Sequence, residues 1–166
     1  MITISIVSHR HGIMLPNLIK SLCSFNEVGQ IILTKNVAEE FELPISDKIE
    51  LIVNEYPKGF GSNHNTAFSL AKYKNFCIVN PDVEFIGNPF TSIISILNED
   101  IYKNSIIAPL VVNSELRIED SARYFPTLRS LIKKMVFGNR GNIFICETNK
   151  PILCQLLSYF SWLPNQ

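Results

Sequence analysis

The sequence predicts a single α/β domain, spanning residues 1–166, with a mostly parallel sheet covered by helices on both faces. Three observations carry this. Short runs of β-prone apolar residues alternate with segments of helical period. One such run, Phe76-Cys77-Ile78-Val79, stops abruptly at Asn80-Pro81-Asp82, where proline removes a backbone donor and ends the strand. Each early strand also ends in polar residues: Ser8-His9, Thr34-Lys35-Asn36, Asn54, then Asn80 and Asp82. A parallel sheet sets those ends side by side at its carboxyl edge, where open α/β sheets bind ligands.

In order, Ile2 to Val7 reads as a strand, closed by the polar loop Ser8-His9-Arg10-His11-Gly12. Leu15, Leu18, Ile19, Leu22 and Phe25 repeat at helical spacing, and Pro16 suits the first turn of that helix. Gln30 to Thr34 is a second strand and Val37 to Phe41 one helical turn before Pro44. Ile49 to Val53 is a third strand. After a loop from Asn54 to Gly61, Ser62 caps a helix to about Lys72, with Ala67, Phe68, Leu70 and Ala71 facing inward. Phe76 to Val79, apolar throughout, is expected to be a central strand buried on both faces. A helix over Phe90 to Leu97, a strand over Ser105 to Val112, a turn over Asn113 to Ser121 and a basic amphipathic helix over Leu128 to Phe137 complete a β-α-β-β-α-β-α-β order. Residues from Gly138 to Lys150 are the least regular.

Composition narrows the function classes. The chain is 46% apolar and 18% charged, as a globular protein is. Fifteen basic and fifteen acidic residues cancel, so nothing calls for nucleic acid. Cys23, Cys77, Cys146 and Cys154 are widely spaced in apolar surroundings with no CxxC pair, which speaks against a zinc ribbon and for reduced core thiols of a cytoplasmic protein. The sequence opens directly on a strand, so no signal peptide is expected. No apolar run approaches the roughly 20 residues a membrane helix needs; Ile152 to Leu163 is short and interrupted by Gln155.

Among candidate site residues, Asp82 has two readings: a ligand to Mg²⁺ or Mn²⁺ already held by a diphosphate, with the Asn80 amide carbonyl beside it, or a cap of the turn after the strand. Gly59-Phe60-Gly61 precedes a helix start, where backbone can approach a phosphate closely, though a flexible turn explains it too. His64 is expected to face solvent, while Asn65 offers a donor and an acceptor to a base or sugar. His9 and His11 flank Arg10 in a loop that either touches a nucleotide or is plain surface, and no Ser-His nucleophile spacing accompanies them. Glu119-Asp120-Ser121-Ala122-Arg123 is a salt-bridged turn or, through Asp120 and Arg123, an acceptor-side element; Lys133-Lys134 is a solvated helix face.

Taken together, ISIVSH (Ile4–His9), IILTKNV (Ile31–Val37), NEYPKGFGSNHNTAF (Asn54–Phe68), FCIVNPDV (Phe76–Val83), APLVVN (Ala108–Asn113) and EDSARYFPT (Glu119–Thr127) resemble family 2 glycosyltransferases of the GT-A fold, in their rhamnosyltransferase-like group. The likeness runs in register from residue 2 to about 137. It implies a sheet of the nucleotide-diphospho-sugar transferase kind and inverting transfer from a nucleotide-sugar, such as dTDP-rhamnose or a UDP-sugar, to a glycan or lipid-linked acceptor in polysaccharide biosynthesis. By the same resemblance Ser8, His9 and Asn36 border base and ribose, Gly59, Gly61 and Asn65 help hold the nucleotide, and Asp82 with Asn80 meets the divalent metal and diphosphate. Asn80 stands where the family's Asp-x-Asp motif has its first Asp, which lowers the negative charge of the site. The family continues past a Trp-containing strand into an acidic segment that supplies the catalytic base; here Ser161-Trp162-Leu163 resembles the start of that strand. The resemblance therefore implies the donor-binding, amino-terminal part of such an enzyme, without its base. An apolar face left where further chain would pack favours a homodimer or peripheral contact with the inner face of a membrane. The competing class is a non-catalytic nucleotide-sugar-binding or assembly module. A sugar-phosphate nucleotidyltransferase ranks below both, because Ser8 to Gly12 is not a glycine- and lysine-rich phosphate loop.

Overall fold

The computed structural model describes residues 1–102, 104–109, 111–113, 115 and 135. The chain forms two compact units, Met1–Lys103 and Asn104–Gln166. In the first, β1 (Ile2–Ser8), α1 (Leu15–Ser24), β2 (Val28–Lys35), β3 (Ile49–Val53), α2 (Phe60–Ser69), β4 (Asn75–Ile78) and α3 (Phe90–Leu97) follow one another, with a short 3₁₀ turn at Asp100–Tyr102. The four strands make one all-parallel sheet in the order β3-β2-β1-β4. The architecture is α/β and compatible with a Rossmann-like fold.

The order has a switch point. From β1 the chain steps to β2 and β3 on one side, then returns to place β4 on the other side of β1. Crossovers between parallel strands are right-handed, so α1, which links β1 to β2, and α2, which links β3 to β4, cover opposite faces. Side chains alternate along each strand, and the two faces differ in chemistry. Ile2, Ile4 and Ile6 join Leu15, Leu18, Ile19 and Leu22 of α1, with Ile31, Leu33, Val79 and Phe90, in the apolar core. Phe25, Phe85 and Phe90 close its end in mutual ring contacts, with centroids 5.6–5.8 Å apart. The intervening residues form a polar layer under α2. There Thr3 donates to Gln30 Oε1 at 2.8 Å, Gln30 Nε2 donates to Leu70 O at 3.0 Å, and Ser5 meets His64.

Several expectations change. Phe76 to Val79 is not a central strand buried on both faces: among the described strands β4 pairs with β1 alone, Phe76 and Cys77 are half-buried and Ile78 is exposed. The interior positions belong to β1 and β2, whose residues are almost all buried. Val37 to Phe41 is not helical. Phe41 and Leu43 are drawn against the core, Lys35 Nζ donates to Glu39 O at 3.1 Å, and its ammonium lies 4.3 Å over the Phe41 ring, which holds the segment open. The second helix is capped at Gly59 rather than Ser62 and ends at Ser69. Its buried residues are Asn63, His64 and Ala67; Phe68 and Leu70 are exposed, Phe68 resting edge-on against Phe76. His64 therefore does not face solvent, because the sheet face beneath it is polar and takes its imidazole.

In the second unit, the described residues between Ser105 and Val112 form no strand beyond an isolated bridge at Val112, and Ile106 and Val111 stay exposed. The expected helix at Leu128 to Phe137 (apart from Met135), Asp120, Arg123, Cys146, Cys154 and the Trp162 segment lie outside the described residues. Among the described residues no helix is long and apolar enough to cross a membrane.

Candidate functional site

A pocket of about 380 Å³ opens at the switch point. Val7, His9 and His11 come from the end of β1 and its loop, Asn36 from the end of β2, and Phe60, Asn63 and His64 from the first turns of α2; Val79 to Asp82 follow β4. It is the place where an open α/β sheet leaves a crevice, because α1, which leaves β1, and α2, which leads into β4, lie on opposite faces.

Its base is an asparagine cluster. Asn36 Oδ1 accepts from Lys58 N at 2.8 Å, Asn54 Nδ2 at 2.9 Å and Asn63 Nδ2 at 3.1 Å. Asn54 Nδ2 also donates to Asn63 Oδ1 at 2.7 Å, while Asn63 Nδ2 and Asn36 Nδ2 both reach Lys58 O. Asn36 and Asn63 are buried, and burial of amides is tolerable only when they are paired in this way. The cluster ties the ends of β2 and β3 to the start of α2. Asn36 Nδ2 also lies 3.2 Å from His9 Nδ1, which it reaches as donor, fixing the first loop against the second strand end.

The first loop turns at Arg10, whose φ of 68° is left-handed. That conformation is unfavourable for a residue with a Cβ, by about 1 kcal/mol or more. It brings His9 and His11 together: the His9 backbone N–H donates to His11 Nδ1 at 3.1 Å, and both rings line the pocket while Arg10 does not.

His64 is 4% exposed. Its Nδ1 lies 2.8 Å from Ser5 Oγ, and the Phe60 ring meets it edge-on with centroids 4.3 Å apart. Burial pushes the imidazole pKa below its ordinary value of 6.5. Its Nε2 is buried and has no partner among the described residues.

On the β4 side, Asn80, Pro81 and Asp82 all line the pocket, and Asp82 is the one carboxylate among the lining residues. Among the described residues no cluster of three or more His, Cys, Asp or Glu side chains forms a self-sufficient cation site. One carboxylate with a neighbouring amide oxygen fits a Mg²⁺ or Mn²⁺ ion only if a ligand's phosphates complete the coordination.

Of the residues singled out in the sequence, His9, Asn36, Asn80 and Asp82 thus meet at one pocket, as does His11. Ser8, Gly59, Gly61 and Asn65 do not line it. Ser8 is buried and alternates away from Val7, offering only its carbonyl to the Asn36 N–H at 2.9 Å. Asn65 is exposed, and its expected place is taken by His64 and Asn63, one and two positions before it on the inward face of α2. A Cβ at Gly59 or Gly61 would meet no atom within 4 Å, so neither glycine is required by packing. Asn63 and His64 were within reach of the sequence: Thr3, Ser5, Gln30 and Thr34 sit at alternate strand positions, the mark of a polar sheet face awaiting polar partners. Compared with protein-family models, with curated proteins and with solved structures, the chain matches none.

Proposed function

We propose that this chain is the donor-binding part of an inverting glycosyltransferase of the GT-A kind, holding a nucleotide-diphosphate-sugar in the switch-point pocket. The observation that carries this reading is the convergence of Asn36, His9 and Asp82 on one pocket together with the open N-terminus of α2. The cap residue Gly59 has no side chain to satisfy the first-turn N–H groups, and acidic residues are absent from that turn. Such a helix start attracts a diphosphate. Asn36 and His9 would border the nucleoside, and Asp82 with Asn80 would hold a divalent cation against the phosphates. When bound, that cation supplies positive charge to the leaving diphosphate.

In this reading the acceptor hydroxyl oxygen bonds to the anomeric carbon as the carbon–oxygen bond to the diphosphate breaks, and the hydroxyl proton passes to a base. Asp82 faces the diphosphate, so the pocket serves binding and orientation of the donor rather than proton removal. The same fact favours a second reading, a nucleotide-sugar-binding module without transfer, since no second carboxylate is found among the described residues that line the pocket.

Calorimetry with UDP and dTDP, each with and without Mn²⁺, paired with a sugar-transfer assay, separates the readings. Binding strengthened by Mn²⁺ with transfer supports the transferase; binding without transfer supports the module. Absence of binding by any nucleoside diphosphate rejects both.

A further inference from the structure

Ser8 Oγ, Thr34 Oγ1, the Glu39 carboxylate oxygens and His64 Nε2 are buried without a partner among the described residues, and of these residues His64 alone lines the pocket. The amides of Asn36, Asn54 and Asn63 are all paired, whereas this ring nitrogen is buried at the pocket without a partner among the described residues. An unpaired buried polar atom of this kind costs on the order of 1–3 kcal/mol, so a fold that retains one has a use for it or loses stability without return.

The neighbouring hydroxyl decides which form of the ring is present. Ser5 is 0% exposed, and His64 Nδ1 is the partner its Oγ finds. Were Nδ1 protonated, the Ser5 proton would be a buried donor facing no acceptor among the described residues. The pairing that leaves fewer groups unmet has Ser5 Oγ–H donating to Nδ1, which puts the ring hydrogen on Nε2 and leaves that N–H alone without a partner among the two residues. Burial lowers the pKa of the ring, so it carries that single hydrogen at neutral pH. The edge of Phe60 and the Ser5 bond together fix the plane in which Nε2–H points.

We infer that His64 Nε2–H is a ligand-contacting donor of this pocket, that its acceptor is a ribose or phosphate oxygen of a bound nucleoside diphosphate, and that Ser5 is the positioning residue that sets its tautomer. This rests on the nucleotide reading above and adds a neutral donor, between the Asn36 and Asp82 ends of the pocket, that the sequence alone assigned to solvent.

The test is side-chain ¹⁵N NMR of the histidines in the whole chain, titrated with UDP and with dTDP. The free protein is expected to show His64 as the Nε2–H tautomer, and its Nε2 resonance is expected to move on saturation. His64→Ala is expected to weaken binding about tenfold, the size of one good hydrogen bond, with His64→Gln recovering part of the loss. Ser5→Ala, which keeps the ring, is expected to shift the tautomer signature and weaken binding less. If a nucleoside diphosphate binds the wild type while the His64 resonances stay put and both His64 variants bind as tightly, this inference fails and the nucleotide reading stands. If none binds the wild type, both fall. The wild-type titration answers the question even where a variant does not fold.

Discussion

Asn36 is the residue whose loss would spread furthest. Its carbonyl oxygen accepts from two other asparagine side chains and from the Lys58 backbone. Asn36→Ala leaves one buried and two part-buried donors short of an acceptor, and urea unfolding is expected to show a loss of roughly 2–4 kcal/mol. Asp82, on the pocket rim, should behave oppositely. Asp82→Ala is expected to leave the unfolding midpoint unchanged and to abolish the Mn²⁺-dependent part of nucleotide binding, read by calorimetry. These two were legible in the sequence because strand ends announce themselves: an apolar run stops and polar residues follow. Asn63 and His64 are legible only by way of the sheet face beneath them, because the rule that apolar residues face inward, applied to Ala67, Phe68, Leu70 and Ala71, points to a different inward face of the helix. That rule presumes an apolar sheet face, and here Thr3, Ser5 and Gln30 make the face polar.

Element boundaries follow the same division. Four of the five expected strands coincide with β1, β2, β3 and β4 to within a few residues, since each is a short β-prone run bounded by polar residues, whereas the run from Ser105 to Val112 forms no strand among its described residues. What periodicity could not supply was rank across the sheet. A run such as Phe76 to Val79 looks equally apolar at the centre or the outside, and only pairing distinguishes the two. Cys77 illustrates the local consequence: burial pushes its thiol up to about 11. At pH 8 that leaves about a hundredfold less thiolate than an ordinary cysteine has, so iodoacetamide is expected to label Cys77 correspondingly slowly in the native protein and at the usual rate in urea. In α2, Gly61 lies in the first turn with open space around it. Gly61→Ala is expected to raise stability by up to about 1 kcal/mol, through the lower backbone entropy of the unfolded chain. Weaker UDP binding by that same stabilised variant would mark the space as room for a ligand.

At the scale of the whole sheet, the order β3-β2-β1-β4 makes one crevice and fills its underside with polar groups. Stability should therefore carry a pH dependence rooted in the site. The His64 pKa is lowered by burial, so the unfolded chain takes up a proton first as pH falls. Stability is flat above the ordinary value of about 6.5 and declines as pH drops through the folded value. Glu50, lowered chiefly by its hydrogen bond with Lys72, acts in a separate window below 4.5. Urea midpoints at pH 7.5 and 5.5 are expected to differ in the wild type, and His64→Gln is expected to flatten that difference. β1 has a further consequence. Its hydroxyls and its isoleucines sit on alternate residues, the first set answering Gln30 and His64, the second answering α1. A slip of one residue would drive Ile4 into the imidazole and strand Ser5 among leucines. The polar groups beneath this crevice therefore also proofread assembly: a sheet threaded out of step cannot close on either side.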